Sequence, residues 1–127
     1  MRIESYREML VWQRAMDLVV ECYRLSDALP RSELFGLAAQ IRRSACSVPA
    51  NVAEGVGRKH LGDYLRHLSI ANGSLKETET HLLVAGRVGY LAESDVQRAL
   101  EQSAEVGKML AGLIRRLQSL RPRIKVP

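Results

Sequence analysis

The side chains with chemistry to offer are His60, His67 and His81, the carboxylates Glu54 and Glu77, the amide Asn51, four helical serines and a run of cations near the C-terminus. The histidines are spaced by seven and fourteen residues. On a helix, neighbours seven apart sit ~10 Å from each other, too far to share one metal ion. A carboxylate-bridged metal bundle needs Glu-x-x-His on two helices, and no histidine here has a Glu three residues before it. Glu77 and His81 stand at i, i+4, the spacing of a side-chain pair on one helix face. Ser44, Ser47, Ser69 and Ser74 have no base beside them, and helical serines commonly bond their own backbone. These patterns predict no catalytic group, no metal and no cofactor; the chain does not read as an enzyme.

Gly55-Val56-Gly57-Arg58-Lys59-His60 superficially resembles a phosphate loop, but no strand precedes it and no Lys-Ser/Thr closes it. It does set Arg58 and Lys59 at the start of a helix, where unpaired N–H groups favour anions. Net charge is +5, and its placement matters more than its size. Residues 1–97 hold twelve basic and twelve acidic side chains, whereas residues 98–127 hold seven basic and two acidic. Arg115, Arg116, Arg121, Arg123 and Lys125 follow the last acid. Such a segment can be a footprint for phosphate backbones, or a solvated helix end whose cations favour the helix dipole.

Four helical patterns must position these groups. They run over about residues 6–27, 33–56, 61–88 and 95–120, and the sequence shows no strand. In the first, apolar residues occupy an arc wider than an ordinary surface helix needs, so Val11, Leu18 and Val20 are expected at an interface between copies of the chain. The second carries Pro49, which should kink or divide it, because proline removes one hydrogen bond and presses on the Ala45 carbonyl. Asn51 and Glu54 lie beside that proline, and a structural polar role is expected of them there or against the third helix. Glycines 55 and 57 suggest a left-handed C-cap. Ala71, Gly73 and Ser74 suggest a close approach in the middle of the third helix. Ser94 and Gln97 match a capping box for the fourth. Short connections force neighbours to be antiparallel, which makes an all-α, up-down-up-down four-helix bundle.

Chain length is sufficient for one domain with a real core. Cys22 and Cys46 sit in apolar runs and read as reduced core thiols. The first residues have no apolar signal core and no run is long enough to span a bilayer, so a cytoplasmic protein without membrane contact is expected.

One long string of motifs carries a resemblance. It comprises Phe35-Gly36-Leu37, Gln40-Ile41-Arg42-Arg43-Ser44-Ala45, Ser47-Val48-Pro49-Ala50-Asn51-Val52-Ala53-Glu54-Gly55, Leu68-Ser69-Ile70-Ala71-Asn72-Gly73-Ser74-Leu75 and Glu77-Thr78-Glu79. With Leu10-Val11-Trp12-Gln13 and Leu91, the match covers nearly the whole chain. The sequence is similar to the bacterial four-helix-bundle family known as 23S rRNA intervening-sequence proteins. That resemblance implies a bundle assembling into a five-fold ring. It also implies kinship with the accessory variability protein of diversity-generating retroelements, a basic ring that binds nucleic acid and partners a reverse transcriptase.

The expected function is a non-catalytic homo-oligomer, a pentamer by resemblance, that binds RNA or DNA with low specificity. Arg58, Lys59, Arg115, Arg116, Arg121, Arg123 and Lys125 are the candidate contacts, on one rim of the bundle. The alternative is a structural or protein-interaction scaffold with no nucleic-acid role. With one Phe, one Trp and four Tyr, stacking platforms for base reading are sparse.

Overall fold

The computed structural model describes residues 5–120. Its four long helices are α1 (Leu10–Ser26), α2 (Leu37–Val56), α3 (Leu61–Arg87) and α4 (Glu93–Ser119), with short 3-10 turns at Tyr6–Glu8 and Arg31–Glu33. Each helix packs on its sequence neighbours and α1 closes the square against α4, while among the described residues the backbones of the diagonal pairs stay farther apart. Among the described residues there is no strand. The architecture is an antiparallel four-helix bundle.

The apolar stripes produce this square directly. Leu18 and Leu25 of α1, Ile41, Val48 and Val52 of α2, Leu68, Leu75 and Leu82 of α3, and Val106 and Leu110 of α4 are fully buried. Val11 and Leu18 belong to that core, at 6% and 1% exposure, which corrects the expectation that they face a second copy. The wide arc of α1 is two stripes side by side. Val11, Ala15, Leu18, Cys22 and Leu25 point into the bundle, while Met16, Val20 and Tyr23 stay exposed.

Helix ends differ from the sequence pattern in instructive ways. The first helix starts at Leu10 rather than Tyr6, because extended backbone at Met9 separates it from the 3-10 turn, whose Arg7 N–H is capped by Ser5 Oγ at 3.1 Å. The second begins at Leu37, and Glu33 caps it from outside: Oε1 accepts the Leu37 N–H at 3.0 Å. The other carboxylate oxygen of Glu33 accepts the Tyr90 hydroxyl at 3.1 Å, tying the start of α2 to the α3–α4 turn. Ser94 is not the cap of α4; that position falls to Ala92, with no side-chain bond, and Ser94 lies inside the helix.

α2 passes through Pro49 as one uninterrupted helix, so the proline does not divide it. Gly57 has φ −78°, not a left-handed conformation. The left-handed residue is Gly89 at φ +87°, where Tyr90 N–H reaches the Ala85 carbonyl and Gly89 N–H the Gly86 carbonyl, a Schellman closure of α3. Gly55 serves close packing instead: a Cβ there would lie 2.8 Å from Tyr64 Cδ1 and 3.2 Å from His67 Cβ. Gly73 faces open space, so it provides no close approach.

Candidate functional site

The polar residues of α2 line up against α3 in an antiparallel ladder. Ser44, Ser47 and Asn51 recur at i, i+3 and i+7, the period that keeps them on one helix face. Ser44 and Thr78 hydroxyls are 2.8 Å apart in the buried core, and Ser47 and Ser74 hydroxyls are also 2.8 Å apart. Thr78 further reaches the Ser74 carbonyl at 2.9 Å. A buried hydroxyl without a partner would cost about 1–3 kcal/mol, and these pairs remove that cost while fixing the register of α2 on α3.

The ladder ends at Asn51. Its Nδ2 donates to the Ser47 carbonyl at 2.9 Å and lies 3.0 Å from Ser47 Oγ, while its Oδ1 is 3.0 Å from His67 Nδ1. A carbonyl only accepts, so Nδ2 must face Ser47 and Oδ1 must face the histidine. His67 therefore carries a proton on Nδ1, and its Nε2 is buried and has no partner among the described residues. Asn51 thus satisfies the Ser47 carbonyl, not that of Ala45. Glu54 Oε2 is 3.5 Å from His67 Nδ1, but its side chain is 58% exposed and stays largely in water.

A second cluster sits at the exposed α2–α3 edge. His81 Nε2 is 3.1 Å from Glu77 Oε2, the pair expected from the i, i+4 spacing, and Arg43 from α2 joins the same oxygen. Gln40 holds the Arg43 guanidinium at 2.7 Å. The bond from His81, then the nearby Arg43 charge, hold the Glu77 carboxyl below the usual carboxylate range. Among the described residues, no three His, Cys, Asp or Glu side chains come together as a metal site. Of the helical serines, Ser44 donates to the Ile41 carbonyl at 3.3 Å and meets Thr78, and Ser47 and Ser74 meet each other. Ser103, fully buried on α4, donates to Glu79 of α3. The Cys22 thiol is pushed up to about 12 by burial, and both cysteines are free. No helix of the described residues is long and apolar enough to cross a membrane.

The cations expected at one rim divide in two. Arg58, Lys59, Arg115 and Arg116 are exposed, and none makes an ion pair among the described residues. Arg121, Arg123 and Lys125 lie outside the described residues. The antiparallel order puts the 57–60 turn, the start of α1 and the end of α4 at the same end of the bundle. Consistent with that, burial pushes the Tyr64 hydroxyl up while the Arg116 charge opposes the shift, so Arg116 reaches the first turn of α3. Several cations elsewhere are paired, Arg24 with Glu21 at 2.5 Å and with Asp95 at 3.7 Å, Arg42 with Asp27 at 2.7 Å, and Arg98 with Asp95 at 3.5 Å, whereas Arg31 and Arg87 toward the other end are exposed and make no ion pair among the described residues.

Two apolar faces remain uncovered. Between α1 and α2 a shallow groove of about 280 Å³ is lined by Trp12, Met16, Val19, Cys46, Ala50 and Ala53, with Val20 beside it at 67% exposure. Toward the end of α3, Val84 and the C-cap residue Val88 are exposed one turn apart, while Ile70 is separated from them by Glu77 and His81 and Leu83 lies on the other flank. Phe35, at 92% exposure, stands in the turn before α2. Sequence reasoning missed the roles of Arg43, His67 and Thr78. Serine and threonine recurring at core positions of two consecutive helices was the available signal.

No curated protein matches the chain. Among solved structures, it is similar to a protein of unknown function from the S23 ribosomal protein family of Bacteroides thetaiotaomicron VPI-5482, with TM-score 0.77 and 26% identity over 83% of this chain and 98% of that one. The profile described as 23S rRNA-intervening sequence protein matches residues 7–112. With a match over most of its length and a bundle that superposes on that relative, the chain belongs to the 23S rRNA-intervening sequence protein family.

Proposed function

We propose that the protein is a non-catalytic homo-oligomer that binds RNA or DNA through phosphate contacts, with low sequence specificity. One observation carries the reading: Arg58, Lys59, Arg115 and Arg116 are exposed, make no ion pair among the described residues, and are gathered at one end of the bundle by its antiparallel order. Unpaired guanidinium and ammonium groups attract a polyanion without reading bases. In a closed assembly each copy adds its own rim, and linked weak contacts multiply into useful affinity. The two apolar faces support assembly. They lie on different helices, so the contact we infer is head-to-tail, the type that closes into rings. A ring of five copies is the number the family resemblance implies.

The test is binding of a mixed-sequence duplex and a single strand as a function of salt. Each phosphate contact contributes a log–log slope of about −0.9 on duplex DNA. Replacing Arg58, Lys59, Arg115 and Arg116 by Gln should weaken all sequences alike and flatten that slope. Equal binding by parent and variant at the same salt would move the site elsewhere. If the parent binds nothing at low salt, the protein is a protein-interaction scaffold, a reading favoured by the exposed Phe35 and Leu34 in the turn before α2.

A further inference from the structure

A cleft of about 380 Å³ lies between the start of α1 and the last turns of α4, and it shares only Arg116 with the basic rim. Its floor is apolar and adaptable, formed by Met9, Leu10, Val11, Met109 and Leu113, and Leu10 is 50% exposed. One wall is α4, which presents Lys108, Gly112 and Arg116 at i, i+4 and i+8. The two cations leave the helix ~12 Å apart along its axis. Neither makes an ion pair among the described residues, and one acid, Glu8, also lines the cleft.

We propose that this cleft docks an amphipathic helix of a partner protein, one whose apolar stripe is flanked by two carboxylates seven or eight residues apart. Such a helix, laid along α1 and α4, would bury its stripe on Leu10, Met109 and Leu113 and set its carboxylates against Lys108 and Arg116. The charge balance selects the occupant. A basic segment such as the chain's own Arg121-Pro122-Arg123 would meet like charges. A nucleic-acid strand would satisfy the cations but leave the apolar floor uncovered, and no aromatic ring lines the cleft for a base to stack on.

Arg116 also belongs to the basic rim, so the test turns on Lys108 and Gly112. A Cβ at Gly112 would meet only the ends of the Arg116 and Arg115 side chains, at 3.6 and 3.8 Å, so a larger residue fits the fold while filling the cleft. The probe is an 18-residue helical peptide with a leucine stripe and two glutamates eight positions apart; its control carries lysines in their place. Binding to the full chain is read from the methyl NMR signals of Met9 and Met109.

The glutamate peptide should move both signals and the lysine peptide should not. Lys108→Glu should weaken binding about tenfold. Gly112→Leu should weaken it at least as much, while leaving the melting temperature unchanged or higher because leucine is the better helix former. Equal binding of the two peptides, or no shift at millimolar peptide, would overturn the proposal. So would displacement of the peptide by a short single-stranded RNA at the same methyls, which would make the cleft a nucleic-acid site. A concentration-dependent change of those methyls with no peptide present would make the occupant a second copy of this chain.

Discussion

Asn51 on α2 accepts a hydrogen bond from His67 Nδ1 on α3 at 3.0 Å, and this contact keeps a proton on Nδ1 of a histidine that is only 5% exposed. The orientation of the amide is set one turn earlier, by the Ser47 carbonyl. Asn51→Ala would strand both the histidine N–H and its share of the ladder, so a loss of about 1–3 kcal/mol is expected in urea unfolding. His67→Phe removes the donor and the unpartnered Nε2 together and should cost less. A double-mutant cycle should return a coupling of about 1 kcal/mol; a value below about 0.3 would mean that the bond is not made in solution. Glu54→Ala, at an exposed carboxylate 3.5 Å from the ring, should change stability by less than about 0.5 kcal/mol.

Two helical glycines should respond to alanine with opposite signs. At Gly73 nothing lies within 4 Å of the new methyl, so only helix propensity acts and Gly73→Ala should stabilise by about 0.5–1 kcal/mol. At Gly55 the methyl would sit 3.2 Å from His67 Cβ and 2.8 Å from the Tyr64 ring. The ring can swing, but the His67 Cβ is anchored to α3. Overpacking of about 1–3 kcal/mol exceeds the propensity gain, and Gly55→Ala should be net destabilising by about 1 kcal/mol. Thermal melts of both variants decide it; a stabilised Gly55→Ala would show that α3 yields to the methyl.

The helices were legible because Leu68, Leu75 and Leu82, or Val106 and Leu110, repeat at a period that one buried face enforces. The ends were less so. Ser94 and Gln97 carry a capping-box pattern, yet Ala92 holds the cap, because the turn closed at Gly89 lets α4 begin earlier. Gly55 and Gly57 look like a C-cap, but a missing side chain serves equally for close helix contact, and sequence does not tell these uses apart. Asn51 was visible as a polar residue beside a buried stripe. Its partner was not, because His67 lies sixteen residues on and only the antiparallel register of α2 and α3 brings the two together.

The Glu77 cluster should make stability depend on acid. Its carboxyl is depressed in the folded state, first by the His81 bond and then by Arg43. A depressed carboxylate stabilises the fold above its unfolded value near 4.5 and loses that contribution as pH falls through the lower folded value. Its side chain is 38% exposed, so the gain is screened by solvent and should stay below about 1 kcal/mol. Glu77→Gln should therefore melt slightly below the parent at pH 6, and the gap should close on titration toward strongly acidic pH. A gap that is constant with pH would mean that the variant acts through packing rather than charge.

Assembly offers the last and sharpest separation, because the two uncovered apolar faces can be blocked one at a time. Met16 and Val20 of α1 are 37% and 67% exposed, and Val84 of α3 is 42% exposed, so a charge at any of them should leave the fold of one chain intact. Buried at an interface, the same charge has no partner and costs several kcal/mol. The parent should sediment as an oligomer at micromolar concentration, whereas Val20→Glu and Val84→Glu should each sediment as monomers with unchanged circular dichroism. If the contact is head-to-tail, each variant keeps one good face, and an equimolar mixture should form a heterodimer and nothing larger. If the contact is instead two-fold, through like faces, only the variant on the contact face should turn monomeric and mixing should restore no pairing. A monomeric parent would remove the self-assembly reading altogether, and with it the avidity on which weak phosphate contacts depend.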